Sequence, residues 1–175
     1  RRSPLQDLPM RIAPTLALVL VALALAACDA QRIEKLEEGV ATEADVRKQF
    51  GEPVQITEKA DGSKVMDYPR QPEGWTNYEI TIGADGKMSA LRQLLTPANF
   101  AKVQPGMGQV DVRRTLGRPA KVQTFAAQPG QEQWEWRFMD GPQKKVFHVT
   151  FDRDRNVAAT AIQDDPRDTM SGSGK

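Results

Sequence analysis

The hydrophobic and polar positions of this chain change twice from a helical spacing to a strict alternation. Val46 and Phe50 lie four residues apart, as on one face of a helix, whereas Met66 and Tyr68 lie two apart, as on one face of a strand. Residues 112–138 repeat both spacings in the same order. The pattern therefore predicts two units, each running from helix to strands.

A short motif marks the end of the helix in each unit. Residues 45–53 read DVRKQFGEP and residues 111–119 read DVRRTLGRP, with five identical positions. Because glycine tolerates a left-handed conformation and proline cannot continue a helix, Gly51 and Gly117 are predicted to end the two helices in αL geometry. Thr42 predicts a capping-box-like start for the first of them. The repeated motif indicates an internal duplication.

The remaining elements follow from the same spacings. A shorter helix is predicted before each motif, at 31–37 and 97–103. Asp-Gly pairs provide hairpin-type turns between alternating segments. Strands are predicted near 54–59, 64–69, 77–83, 88–93, 120–125, 132–139, 144–152 and 156–162. The predicted class is α+β: two tandem repeats, each a helix pair packed on a three- to four-stranded antiparallel sheet.

The N-terminus has the character of an export signal. Residues 12–27 are apolar and uncharged, follow Met10-Arg11, and are shorter than the roughly 20 residues of a membrane-spanning helix. Leu25-Ala26-Ala27-Cys28 resembles the lipobox of bacterial lipoproteins, which predicts cleavage before Cys28 and acylation of its thiol. The alternative is a buried helix ending in an incidental cysteine.

These features divide the chain into four segments. Residues 1–27 are predicted to be an upstream extension followed by the lipoprotein signal peptide. The first repeat is placed at 28–95 and the second at 96–163. Residues 164–175, DDPRDTMSGSGK, hold little that could be buried and are predicted to form a disordered tail.

Composition limits the chemistry that the protein can perform. The chain has one cysteine and one histidine. An internal disulfide is therefore excluded, and a zinc site or a nucleophile and base pair has too few residues to draw on. After removal of residues 1–27 the chain carries 21 basic and 22 acidic residues, which offers no broad basic field for nucleic acid. We therefore expect no enzymatic activity, no metal and no cofactor.

The sequence offers few candidates for binding. Trp75 lies in a predicted loop between strands, where it either anchors a partner or packs over a sheet edge. Arg113 and Arg114 form a basic pair that either contacts lipid headgroups or partners, or is a solvated helix face. His148 is predicted to be a solvated strand residue opposite the core. Trp134 and Trp136 are predicted to be core aromatics.

Several short motifs together resemble a known family. They are the lipobox, Gly106-Met107, Leu116-Gly117-Arg118-Pro119, the Trp134/Trp136 strand and Val149-Thr150-Phe151-Asp152. This combination is similar to the SmpA/OmlA (BamE-like) family of outer-membrane assembly lipoproteins, most clearly over residues 96–162. The resemblance implies a non-enzymatic scaffold or stabilising subunit of the β-barrel assembly machinery, lipid-anchored at the periplasmic side of the outer membrane.

Two features leave alternatives open. A tandem pair of units is similar to the secreted β-lactamase inhibitor proteins, which implies an envelope binding protein that inhibits an enzyme. Asp29 directly follows Cys28 and resembles a signal for retention in the inner membrane.

Overall fold

The computed structural model describes residues 31–167 of the chain. Its first part begins with a helical stretch at residues 31–34 and continues into helix α1 (Glu43–Phe50). Four antiparallel strands follow in the order β1-β2-β3-β4. They are β1 (Gln55–Glu58), β2 (Lys64–Pro69), β3 (Asn77–Ile82) and β4 (Met88–Gln93).

The second part repeats this succession. Two helices, α2 (Pro97–Phe100) and α3 (Gln109–Leu116), precede a second antiparallel sheet in the order β5-β6-β7-β8. Its strands are β5 (Lys121–Thr124), β6 (Glu132–Asp140), β7 (Gln143–Phe151) and β8 (Val157–Asp164). The predicted α+β class with two helix-and-sheet units is confirmed.

Each sheet buries one face against its own helices. In the first unit, Val46 and Phe50 of α1 pack on Met66, Tyr68 and the β3 isoleucines. In the second, α2 and α3 pack on an aromatic cluster that includes Trp134, Trp136, Phe138, Phe147 and Phe151. Alternate strand residues enter these cores, as the period-two pattern predicts. Each sheet therefore has a hydrophobic core of its own.

Both repeated glycines end their helices, but not in αL geometry. Gly51 has φ 83° and ψ −160°, and Gly117 has φ 73° and ψ −161°. The positive φ is as predicted, whereas ψ is extended, because the chain turns directly outward toward the first strand. This combination is essentially restricted to glycine. The capping box predicted at Thr42 is present, with Asp45 as its reciprocal partner.

An equivalent hydrogen bond fixes the carbonyl of each glycine. The Tyr68 hydroxyl donates to the Gly51 carbonyl at 3.2 Å, and the Trp136 indole N–H donates to the Gly117 carbonyl at 3.2 Å. Each bond joins the helix end to the second strand of its own sheet. The predicted structural equivalence of the helix stops is therefore visible in their contacts.

Three predicted boundaries are wrong. The helix predicted at 31–37 ends at residue 34, where the chain enters a turn. Helix α2 ends at Phe100 and not near 103, because the following amides of Lys102 and Val103 bond three residues back and tighten the chain into turns. The predicted tail is ordered at its start, since β8 includes Asp164 and Asp165 is only 1% exposed. The reason is an ion pair with Arg137 that the local sequence does not reveal.

The predicted export signal, Cys28 and residues 168–175 lie outside the described residues. Between residues 31 and 167, no helix is both long enough and apolar enough to cross a membrane.

Candidate interaction surfaces where the repeats meet

The loop between β2 and β3 reaches the second sheet through Gln71. Its side-chain amide donates to the Arg137 carbonyl at 2.8 Å and accepts from the Arg137 amide at 3.2 Å. Strand β5 pairs with β6 only as far as Glu135. The main-chain amide and carbonyl of Arg137, two residues further along β6, point to the same side and have no strand partner there. The Gln71 amide takes its place, which explains why this polar side chain is buried.

The Arg137 guanidinium joins three parts of the chain. It donates to Asp165 Oδ2 at 2.6 Å and to the Pro72 carbonyl at 2.9 Å. Burial acts to raise the pKa of the Asp165 carboxyl, but hydrogen bonds from the Arg167 amide and from Arg137 outweigh it and hold that pKa below its ordinary value. The carboxylate is therefore charged and paired at neutral pH.

Trp75 packs against the same guanidinium. Arg137 Cζ lies 5.0 Å from the centre of the indole ring and Lys144 Nζ lies 5.7 Å from it, both within the range of a cation–π contact. The ring is half-buried, and its N–H is buried without a hydrogen-bond partner among the described residues. The structure thus places Trp75 at the contact between the repeats; binding of another protein by Trp75 stays a prediction.

A second contact holds the end of α3. The Asn77 side-chain amide donates to the Leu116 carbonyl at 2.8 Å and to the Arg118 carbonyl at 2.9 Å. Asn77 is 1% exposed and begins β3 of the first sheet. A Cβ on Gly117 would lie 3.0 Å from the Asn77 amide nitrogen. Glycine at 117 is therefore required both by its backbone conformation and by this close approach.

A groove of about 560 Å³ separates α3 from the outer face of the first sheet. Asp67 and Glu79, neighbours across β2 and β3, face it from the sheet. Burial, followed by the negative charge of Glu79, raises the pKa of the Asp67 carboxyl, while Arg113 opposes the rise. The groove thus sets carboxylates on one wall against arginines on the other.

The predicted basic pair lines this groove. Arg113 and Arg114 are both exposed, and Arg114 pairs with Asp111 at 2.6 Å on the same helix. Arg118 adds a third guanidinium to the wall. Trp75 contacts the second sheet and not this groove. The structure therefore does not bring Trp75 together with Arg113 and Arg114 in one site. Partner binding by Arg113 and Arg114 stays a prediction.

His148 differs from the solvated residue expected. It lies opposite the core as predicted, but its side chain is only 14% exposed and its Nδ1 is 3.8 Å from Glu135 Oε1. Cross-strand pairing of His148 with Glu135 brings the two together. Among residues 31–167, no group of three His, Cys, Asp or Glu is placed to hold a metal ion.

Four polar residues at or beside the contact between the repeats could not be recognised from the sequence. They are buried although nothing in the alternation of their strands or loops predicts a cover for them: Gln71, Asn77, Arg137 and Asp165. The alternation along β6 predicts that Arg137 lies on the face opposite Trp136. The loop that covers this face comes from the other repeat, so its presence could not be predicted. Only long-range structure reveals such a site.

Three comparisons with known proteins bear on this chain. Residues 93–161 match the family model described as the outer membrane protein assembly factor BamE domain. No curated protein matches the chain. A DUF4309 family protein (YjgB) from Bacillus subtilis is 18% identical with a TM-score of 0.30, covering 74% of this chain and 82% of that one. An extracellular protein containing a SCP domain from Bacillus anthracis is 13% identical with a TM-score of 0.28, and the match covers 76% of this chain and 45% of that one.

The fold and its contacts define a tandem α+β protein in which the second unit is held by polar groups of the first. The second unit is the part that matches the BamE domain model, since the matched residues 93–161 run from the end of β4 into β8. The resemblance suggested by the sequence motifs is confirmed there. The first unit lies almost entirely outside the match, so a second BamE-like unit at 28–95 stays a prediction.

Proposed function

We propose that this protein is a lipid-anchored, non-enzymatic envelope protein that supports or stabilises the assembly of outer-membrane β-barrel proteins. The observation that carries the proposal is the match of residues 93–161 to a domain described as an outer-membrane protein assembly factor. In this proposal the second repeat, residues 96–163, contacts the β-barrel assembly machinery. The first repeat, residues 28–95, holds and orients it through Asn77 and Gln71.

Anchoring is assigned to Cys28. It is the only thiol in the chain and ends the uncharged stretch at 12–27. A single acyl chain gives marginal membrane binding, with an association constant on the order of 10⁴ M⁻¹, so stable attachment calls for two or more chains. The protein would then be tethered to the periplasmic side of the outer membrane. Retention in the inner membrane is the alternative that Asp29 suggests.

The test is affinity purification from detergent-solubilised envelopes followed by mass spectrometry. Subunits of the barrel-assembly machinery are expected with the wild-type chain. Recovery of one soluble enzyme instead would favour the alternative of an enzyme-inhibiting protein. Fractionation of inner and outer membranes in the same preparation decides between the two locations.

Variants in equivalent positions test whether the second repeat supplies the contact. Arg114 and Lys48 occupy the same place in the two repeated motifs, and both are exposed. Arg114→Glu is expected to reduce partner recovery, whereas Lys48→Glu is expected to leave it unchanged. Equal recovery with both variants would move the contact away from the groove.

Lipidation has its own test. Cys28→Ala is expected to abolish incorporation of radiolabelled palmitate, because no other thiol can accept an acyl chain. Label retained by the Cys28→Ala variant would contradict the assignment of the anchor.

A further inference from the structure

We propose that the free edge of β8 is a docking site for an extended partner segment that adds a fifth strand to the second sheet and places large apolar side chains at alternate positions. The inference rests on the function proposed above, because it names the kind of segment that such a protein would bind. Strand β8 is last in the order β5-β6-β7-β8, so only its edge toward β7 is paired.

The corresponding edge of the first sheet is covered. The Leu91 amide on β4 donates to Glu38 Oε1 at 3.2 Å. Nearer the start of β4, the Gly39 amide donates to the Met88 carbonyl and the Met88 amide donates to the Ala41 carbonyl, both at 2.7 Å. Residues 38–41 therefore occupy the main-chain groups of β4 that point away from the sheet.

The edge of β8 begins in the same way and then differs. Gly106 and Met107 bond to Val157 just as Gly39 and Ala41 bond to Met88. Thr160 stands opposite Val149 as Leu91 stands opposite Ile80, so its amide also points out of the sheet.

The residue before Gly106 is Pro105, which has no carboxylate to take the place of Glu38. Among residues 31–167, no side chain accepts a hydrogen bond from the Thr160 amide. The outward main-chain groups of β8 from Thr160 onward are therefore available.

Strand β8 has few of the features that usually protect an edge: its one charged residue, Asp164, is the last of the strand and pairs with Lys145. Residues 157–163 read VAATAIQ, without a charge or a proline, and residues 158–163 are all exposed. Edge strands are commonly shortened or charged to prevent pairing with other chains. Strands β1 and β5 are four residues long, whereas β8 has eight.

An apolar groove of about 630 Å³ lies beside this edge. Phe100, Phe138 and Phe147 line it, together with Ile162, which is 52% exposed. Thr160 and Ile162 lie on the face of β8 that is turned toward the core, because they pair with Val149 and Phe147. Every second side chain of an added strand would extend over this groove, and the intervening ones would face the side of Ala161 and Gln163.

A second copy of this chain fits the groove poorly. If two β8 strands paired with each other antiparallel about Thr160, Ala161 or Ile162, the residue opposite Ile162 would be Ala158, Thr160 or Ile162. In each register the second copy would bring only one large apolar side chain, its own Ile162, to the face of the groove, with Thr160 and Asp164 on either side of it. The occupant is therefore an amphipathic strand of another protein, with bulky apolar residues on one face and small or polar residues on the other.

Peptide binding to the full chain tests the proposal. Two fluorescein-labelled peptides of about ten residues have the same composition, and only one of them alternates apolar with polar residues. Fluorescence anisotropy is expected to give a Kd about tenfold or more lower for the alternating peptide. Ile162→Lys and Pro105→Glu, which copies the cover of β4, are each expected to remove that preference. The matched control is Ile56→Lys, at an isoleucine of β1 that is 42% exposed, and it is expected to bind normally.

Four results would overturn the proposal. The first is equal affinity for the two peptides, and the second is an equal loss in Ile56→Lys. The third is a dimer in sedimentation that Ile162→Lys dissociates, which would make a second copy the occupant. The fourth is binding that appears only after deletion of residues 168–175, which would make the chain's own C-terminus the occupant. If one of these results overturns the edge proposal, barrel-assembly subunits recovered with the Ile162→Lys variant would still support the proposed function.

Discussion

The two repeats use the same helix stop in different surroundings. A Cβ added to Gly51 would meet nothing within 4 Å, whereas one added to Gly117 would lie 3.0 Å from Asn77 and 3.3 Å from Leu94. Glycine at 51 is required only by its backbone conformation, whereas glycine at 117 is also required by the close approach of the first repeat. An identical motif can therefore carry a local role in one copy and a long-range role in the other.

The two sheets also differ, both in the length of their strands and in how their edges are covered. The first has strands of four to six residues, and Glu38 covers its edge at β4. The second has strands of up to nine residues, one side covered by the loop of Gln71 and Trp75 and one edge left open at β8. The second repeat thus both receives support from the first and retains the open edge, which agrees with a division between a supporting and a binding unit.

The largest expected effect is in the second core. Trp136 is fully buried and holds the Gly117 carbonyl, so Trp136→Ala is expected to cost about 3–5 kcal/mol of unfolding free energy. Tyr68→Phe, which removes only the equivalent hydrogen bond of the first repeat, is expected to cost about 1 kcal/mol. Urea unfolding followed by circular dichroism measures both. Equal costs would mean that the bond and not the aromatic volume stabilises each helix stop.

The next effect concerns the ion pair between Arg137 and Asp165. Arg137→Met leaves a carboxylate that is 1% exposed without its main partner, and is expected to cost about 2–3 kcal/mol, moderated by Arg167 close by. Because the pKa of Asp165 is lowered in the folded protein, its contribution is present at neutral pH and is lost as pH falls through that lowered pKa.

Unfolding in urea at neutral pH and in acid, for the wild type and Arg137→Met, checks both statements. The difference between the two chains should shrink in acid. A difference that stays constant with pH would show that Arg137 acts by packing on Trp75 rather than by its charge.

The sequence predicted each repeat far better than it predicted the contact between them. Spacings such as Val46 with Phe50, and the Trp134 and Trp136 alternation, report burial within a repeat, where neighbours along the chain are also neighbours in space. Gln71 and Asp165 depend on Arg137, which is 66 and 28 residues away respectively. No periodicity encodes such pairs, so the contact surfaces and the ordered start of the C-terminal segment could not be found in this way.

A smaller effect separates the two helix stops. Gly51→Ala and Gly117→Ala both force alanine into a positive-φ conformation, which costs about 1–3 kcal/mol. Gly117→Ala should cost about 1 kcal/mol more, because its new methyl group must displace the Asn77 amide. In the background Asn77→Ala, thermal unfolding should give nearly equal losses for the two substitutions. A difference that persists without Asn77 would assign the extra cost to Leu94, whose Cδ1 lies 3.3 Å from the added Cβ, or to the second repeat itself.

The smallest effect is expected at Asp67, with a sign opposite to that of Asp165. Burial raises its pKa, the negative charge of Glu79 adds to the rise, and Arg113 opposes it across the groove. A carboxyl that binds its proton more tightly in the folded state contributes stability below its unfolded pKa and loses it as pH rises through the folded pKa. Asp67→Asn is therefore expected to stabilise the protein slightly at neutral pH, whereas Asp165→Asn should destabilise it.

Urea unfolding of the two asparagine variants across the acid range makes this last comparison. Asp67→Asn should lie above the wild type at neutral pH and converge with it at low pH, where the native carboxyl is also neutral. Destabilisation by Asp67→Asn at neutral pH would contradict this expectation. It would mean that the groove closes in solution and that the Asp67 carboxylate forms a direct ion pair with Arg113, which would withdraw that arginine from the surface proposed for partners.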